Sequence, residues 1–133
     1  MQEKRGMYRV RERSERGAVA VEFAILAPIL IMLLMGIMEF GRAYNAQASL
    51  SAAAREGVRV MAVSNDPAAA RLAAENAAVS LMPALTDTNI SFGATACAPG
   101  TQITITITYN LSTLTGIAGP FSMTGKGAML CGG

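Results

Sequence analysis

Between Arg16 and Glu39 the chain reads GAVAVEFAILAPILIMLLMGIM. From Ala18 to Met38 there are 21 residues with a single charge, Glu22. A helix of that length covers roughly 31 Å, close to the thickness of a bilayer's hydrocarbon core. From Phe23 to Met38 the apolar character runs around the whole helix circumference. A core helix of a soluble domain keeps a polar face for water, and this segment has none. The run is therefore read as a membrane span, residues 18–38.

Composition agrees. Hydrophobic residues make up 52% of the 133 and charged residues 15%, against roughly a quarter charged in an average soluble domain. Disordered chains are polar and charge-rich, so that class is excluded. Histidine is absent, which removes the commonest general base and transition-metal ligand. A net charge of +2 makes no case for nucleic-acid binding. The charge is uneven, however. Residues 1–17 carry six Lys or Arg against three Glu, and the positive-inside rule places this leader in the cytoplasm and residues 39–133 outside it. Four regions are expected: a basic leader, 1–17; the span, 18–38; an extracytoplasmic continuation of the helix, 39–64; and a small outer region, 65–133.

Glu22 is the anomaly, because a carboxylate at a helix centre costs roughly 2.5–3.5 kcal/mol on insertion scales. One reading is a side chain that simply reaches the headgroups. The other comes from its surroundings, Gly17-Ala18-Val19-Ala20-Val21-Glu22-Phe23. A glycine after a basic leader, followed by a glutamate in fifth place at the head of an apolar helix, resembles the processing site of type IV prepilins. The Glu22-Phe23 pair looks like the tight-adherence (Tad/Flp) branch of that superfamily. The resemblance implies that a prepilin peptidase cuts after Gly17 and leaves Ala18 as the new N-terminus. The chemistry is consistent with it. Glycine enters a narrow protease site without a Cβ. The new α-amine is largely protonated below its pKa of roughly 8, and in an assembled bundle a neighbour's carboxylate can neutralise it. Two rival readings stand beside this one. The first is a secretory signal peptide cut after Ala48, at Ala46-Gln47-Ala48, although the apolar run exceeds the usual h-region. The second is an uncut bitopic protein whose outer domain binds a partner.

Beyond Met38 the chain is alanine-rich, with no proline until Pro67, so the helix is expected to continue to about Ser64. Pro28 inside the span predicts a kink or local melting. Ala46, Leu50, Ala53, Gly57 and Met61 recur at spacings of three and four and form one face of small and apolar residues. That face suits either packing on the chain's own outer domain or packing between subunits. Arg55 and Arg59 share another face and could reach one acidic partner. With the Gly17–Phe23 motif, the blocks Glu39-Phe40-Gly41-Arg42 and Ala53-Ala54-Arg55-Glu56-Gly57-Val58-Arg59 make residues 15–63 similar to the TadE-like family of tight-adherence pilus proteins. That resemblance implies a minor pseudopilin in pilus biogenesis, single-pass in the inner membrane. Its implied partners are the membrane, prepilin peptidase, other pilin-like subunits and the assembly machinery.

Asp66-Pro67 is a helix-start signal, and a second helix is expected over 67–81, with Ala69, Leu72, Ala73 and Val79 as its apolar positions and Pro83 as its stop. A short strand is expected over 89–94. TQITITITY, 101–109, alternates isoleucine with threonine, the pattern of a strand with one face inward. Residues 112–125 read as a loop, and 126–131 as a third strand. The fold class is α+β: a pilin-like long N-terminal helix, transmembrane in its first half, with a second helix and a small antiparallel sheet. Cys97 and Cys131 fall in the outer region, where a disulfide persists; two free buried thiols are the alternative. No CxxC redox or zinc pattern occurs, no phosphate loop occurs, the carboxylates form no recognisable catalytic set, and no histidine exists to activate a cysteine nucleophile. No enzyme activity, cofactor, metal or small-molecule substrate is expected.

Overall fold

The computed structural model describes residues 9–132. The expected leader residues 1–8 lie outside the described residues. The architecture is α+β: helix α1 (Arg9–Ser64), helix α2 (Pro67–Ala77), a 3₁₀ turn at Asp87–Asn89, and strands β1 (Ile90–Phe92), β2 (Gln102–Leu111) and β3 (Phe121–Leu130). The chain divides into two compact units, Met1–Met38 and Glu39–Gly133.

In the first unit every described side chain from Glu15 is exposed except Ala27, which is half-buried. The helix is uninterrupted at Pro28, so local melting there does not occur. A window of α1 has mean hydropathy 2.5 with none of it buried, and α1 is long and apolar enough to cross a membrane.

The second unit packs α1 and α2 on one face of an antiparallel sheet of order β1-β2-β3. Its core includes Leu50, Met61, Ile103, Ile105 and Ile107, all essentially inaccessible to solvent, each stabilising the fold by roughly 1.5–3 kcal/mol through burial. In β2 the isoleucines face inward and the threonines lie on the more exposed face, as period-2 alternation dictates. Tyr109 continues the buried series, its hydroxyl donates to the Pro83 carbonyl at 2.8 Å, and burial pushes its pKa up.

Asn65 breaks α1 from α2. Its φ of 51° lies in the left-handed region that asparagine tolerates, and its amide donates to the Met61 carbonyl. Asp66 then caps α2, accepting from the amides of Ala68 and Ala69 at 2.9 and 3.2 Å, with Pro67 opening the helix.

Three expectations need correction. Helix α2 stops at Ala77 rather than near Leu81, because the Ala78 amide turns back to the Glu75 carbonyl and the chain bends to bury Leu81 and Leu85. Its buried face is Ala70, Ala74 and Ala78, while Leu72 and Val79 are exposed; close approach to α1 leaves room for methyl groups alone. The third strand begins at Phe121, inside the expected loop. Its two glycines, which lower strand propensity, sit where the sheet meets α1. A Cβ at Gly125 would stand 2.5 Å from the Leu50 carbonyl oxygen, and one at Gly127 2.5 Å from that of Ala54. These glycines pair across the sheet with Ile107 and Ile105, so each large residue on the inner face has an empty neighbour into which the helix settles.

Candidate functional site

The residues with chemical interest fall in the two units separately. In the first, Gly17, Ala18, Glu22 and Phe23 all lie within α1 and are exposed. A Cβ added at Gly17 would meet nothing within 4 Å. A glycine inside an exposed helix costs about 1 kcal/mol relative to alanine, and no packing among the described residues offsets that. Glu22 makes no hydrogen bond or ion pair among the described residues. Its neighbours are large and apolar: Phe23, Ile25 and Leu26 are all more than half exposed. The segment thus presents one carboxylate in an apolar, unpartnered surface.

In the second unit the small-residue face of α1 is enclosed by the chain itself. Ala46, Leu50, Ala53 and Met61 are buried in the core. Gly57 sits at the crossing point, where an added Cβ would lie 3.0 Å from Ile105 Cδ1 and 3.1 Å from Ala74 Cβ. Of the two readings of this face, the structure places it against the chain's own sheet and α2. On the opposite side Arg59 forms a two-pronged pair with Glu56, Nη2 to Oε1 at 2.6 Å and Nε to Oε2 at 3.1 Å. The Arg59 hydrogen bond holds the Glu56 carboxyl below its usual value. Arg59 is therefore engaged within the chain, whereas Arg55 is exposed.

In the sequence Glu39 is one residue of a motif, and its role becomes visible in the fold. It is buried, 8% exposed, and both carboxylate oxygens accept from the Leu114 amide, at 3.0 and 3.2 Å. Arg42, one turn on, donates to the Ser112 carbonyl at 3.5 Å. Together they fasten the 112–120 loop to α1. The available signal was a glutamate directly after the apolar run, where a buried acceptor can satisfy a loop amide that would otherwise cost about 1–3 kcal/mol.

A disulfide joins Cys97 and Cys131, 34 residues apart, with Cα atoms 5.5 Å apart. In the chain-entropy account a loop of that length is worth roughly 3–4 kcal/mol. The Cys97 amide also donates to Asn65 Oδ1 at 2.6 Å and the Gly132 amide to the Ala62 carbonyl at 3.2 Å, so the bridge is anchored to the end of α1. Among the described residues no group of three or more His, Cys, Asp or Glu could hold a metal ion.

The family model described as TadE-like protein matches residues 17–59. The match begins at the glycine of the predicted processing motif, includes Glu39–Arg42, and ends at Arg59 within α1. It covers about a third of the chain, and in that third the chain is similar to TadE-like proteins, the family its sequence motifs resemble. No curated protein and no solved structure matches the chain.

Proposed function

We propose that this chain is a non-catalytic, pilin-like membrane subunit in the biogenesis of a tight-adherence pilus, of the minor pseudopilin kind. It is inserted in the inner membrane with residues 1–17 in the cytoplasm, residues 18–38 as the span and residues 39–133 outside. Prepilin peptidase removes the leader after Gly17. The subunit then joins other pilin-like subunits through the first half of α1.

The observation that carries this reading is the coincidence at one place of three features. The family match starts at Gly17, an added Cβ at that glycine would meet nothing among the described residues, and Glu22 stands exposed in an apolar surface five residues on. Cleavage supplies the missing counter-charge, since a protonated Ala18 amine on one subunit can pair with Glu22 on the next. The outer unit supports a scaffold role, with its core closed on α1 and its chain cross-linked.

N-terminal sequencing of the mature protein is the deciding experiment. A start at Ala18 supports the proposal, a start at Met1 supports an uncut bitopic protein, and a start at Ser49 supports a secreted domain. Gly17→Leu is expected to retain the leader. Glu22→Ala is expected to insert normally, because a charge leaves the span, yet to be lost from the assembled complex on co-purification. Normal assembly of that variant would reduce Glu22 to a side chain reaching for the headgroups.

A further inference from the structure

The loop between β2 and β3 is unusual in what it exposes. From Ser112 through the loop and the first two residues of β3, to Ser122, there is no charged residue. Leu114 is 59% exposed, Ile117 88% and Phe121 38%. A loop in water is ordinarily polar, and an isoleucine almost wholly uncovered at its tip is not placed there by the core. Turns at Gly116 and Gly119, both with positive φ, hold Ile117 out, and the Gly116 amide is satisfied by Thr113 Oγ1 at 3.1 Å. The loop's level along the chain is also fixed. Its Leu114 amide is bonded to Glu39, and Glu39 is the residue that follows Met38, the end of the apolar run. Phe40 and Tyr44, i and i+4 on α1, are 76% and 73% exposed at the same end of the second unit. Aromatic rings and uncharged apolar tips at the end of a span are the chemistry of the lipid headgroup zone.

We infer that the 112–120 loop is a second membrane contact: it sets Ile117 and Leu114 into the headgroup region of the bilayer, held to α1 by Glu39, the residue that precedes the exposed ring of Phe40. The inference rests on the reading of residues 18–38 as a membrane span. The occupant is lipid rather than another protein because the loop is tied to the residue at which the apolar run ends. A segment bonded to the residue that follows the span is within reach of the bilayer surface.

The chain has no tryptophan, so a single introduced one is an unambiguous reporter. Ile117→Trp is placed at an exposed position and leaves the core untouched. The full chain is reconstituted in phosphatidylcholine vesicles with acyl chains brominated either near the headgroup end or near the bilayer centre, and tryptophan emission is compared with that in unbrominated vesicles. Leu30→Trp reports on the span, and Leu72→Trp, exposed on α2, reports on the remainder of the outer unit. Blue-shifted, bromine-quenched emission at positions 117 and 30, with unquenched emission at 72, is the expected result. Quenching at 30 without quenching at 117 overturns the loop contact and leaves the span reading intact, whether the emission at 117 is red-shifted in water or blue-shifted against protein. Quenching at all three overturns it also, since the outer unit would then lie on lipid without preference for the loop. An unquenched Leu30→Trp removes the span reading on which the inference stands, and the inference with it.

Discussion

Leu33 and Leu50 occupy the same helix and meet opposite surroundings. Leu33 is 59% exposed, and Leu50 is wholly buried. In the first unit the large aliphatic residues are outside, and in the second the inside of the helix is mostly methyl groups, with Ala46, Ala53 and Ala54 against the sheet. Solvent explains the inversion. A helix surrounded by lipid gains nothing by hiding leucine, because the tails are as apolar as the side chain. A helix docked on a strand gains by coming close, and small residues permit that closeness. The α1 and inner-sheet glycines follow the same division: Gly17 and Gly36 in the first unit face open space, while Gly57, Gly125 and Gly127 in the second face other backbone or side-chain atoms within about 3 Å of an added Cβ. One element therefore carries two packing codes that change at Glu39.

The strongest way to break this comparison is to truncate both leucines. Leu50→Ala is expected to lower the stability of the outer unit by about 3–5 kcal/mol, and Leu33→Ala to leave it unchanged, as measured by denaturation of the full chain in detergent micelles. Equal losses would show that the first half also packs within the chain. The glycines offer the converse test. Gly127→Val forces a Cβ onto the Ala54 carbonyl and is expected to cost about 3 kcal/mol, whereas Gly36→Val is expected to be silent in the outer unit. A tolerated valine at 127 would mean that the strand and helix can separate without penalty.

Smaller effects sharpen the boundary between the two codes. Glu39→Ala leaves the Leu114 amide without its acceptor and is expected to cost about 1–2 kcal/mol, with faster proteolysis in the 112–120 loop as the local readout. On the solvent side of the buried half, Arg59→Ala is expected to leave the melting midpoint unchanged, since exposed ion pairs contribute little. Because the pair lowers the Glu56 pKa, anything it contributes is present above the ordinary glutamate value. It is lost as pH falls through the folded one. A clear acid-side loss that disappears in Arg59→Ala would assign the pair more weight than its exposure allows.

Much of this was legible from residue pattern. The apolar run, the Ile-Thr alternation of β2 and the Asn65-Asp66-Pro67 break are local signals, and each element follows from its own residues. What stayed hidden depends on contacts between distant segments. Leu72 and Val79 are the natural apolar candidates of α2, yet the core takes Ala70, Ala74 and Ala78, because Gly57 of α1 brings the Ala74 methyl and the Ala70 carbonyl oxygen to 3.1 and 3.2 Å from where its Cβ would stand. The start of β3 was obscured for the same reason, since glycine reads as loop until its helix partner is known. In the candidate assembly segment the sequence supplied the motif, and the fold added that neither Gly17 nor Glu22 has a partner within the described residues.

The seam between α1 and β3 also has a consequence in time. Leu50 is synthesised 75 residues before Gly125, against which it packs. At about 5–20 residues per second, the helix waits roughly 4–15 s for the strand that will cover it. During that interval its inner face is open to chaperones, to other nascent chains and to premature pairing. A leucine-rich face would be adhesive for that long. Beside Leu50, Val58 and Met61 this face is built on Ala46, Ala53, Ala54, Gly57 and Ala62, which expose little apolar area per residue. The same methyl groups that let the finished unit close tightly let the unfinished one wait in water.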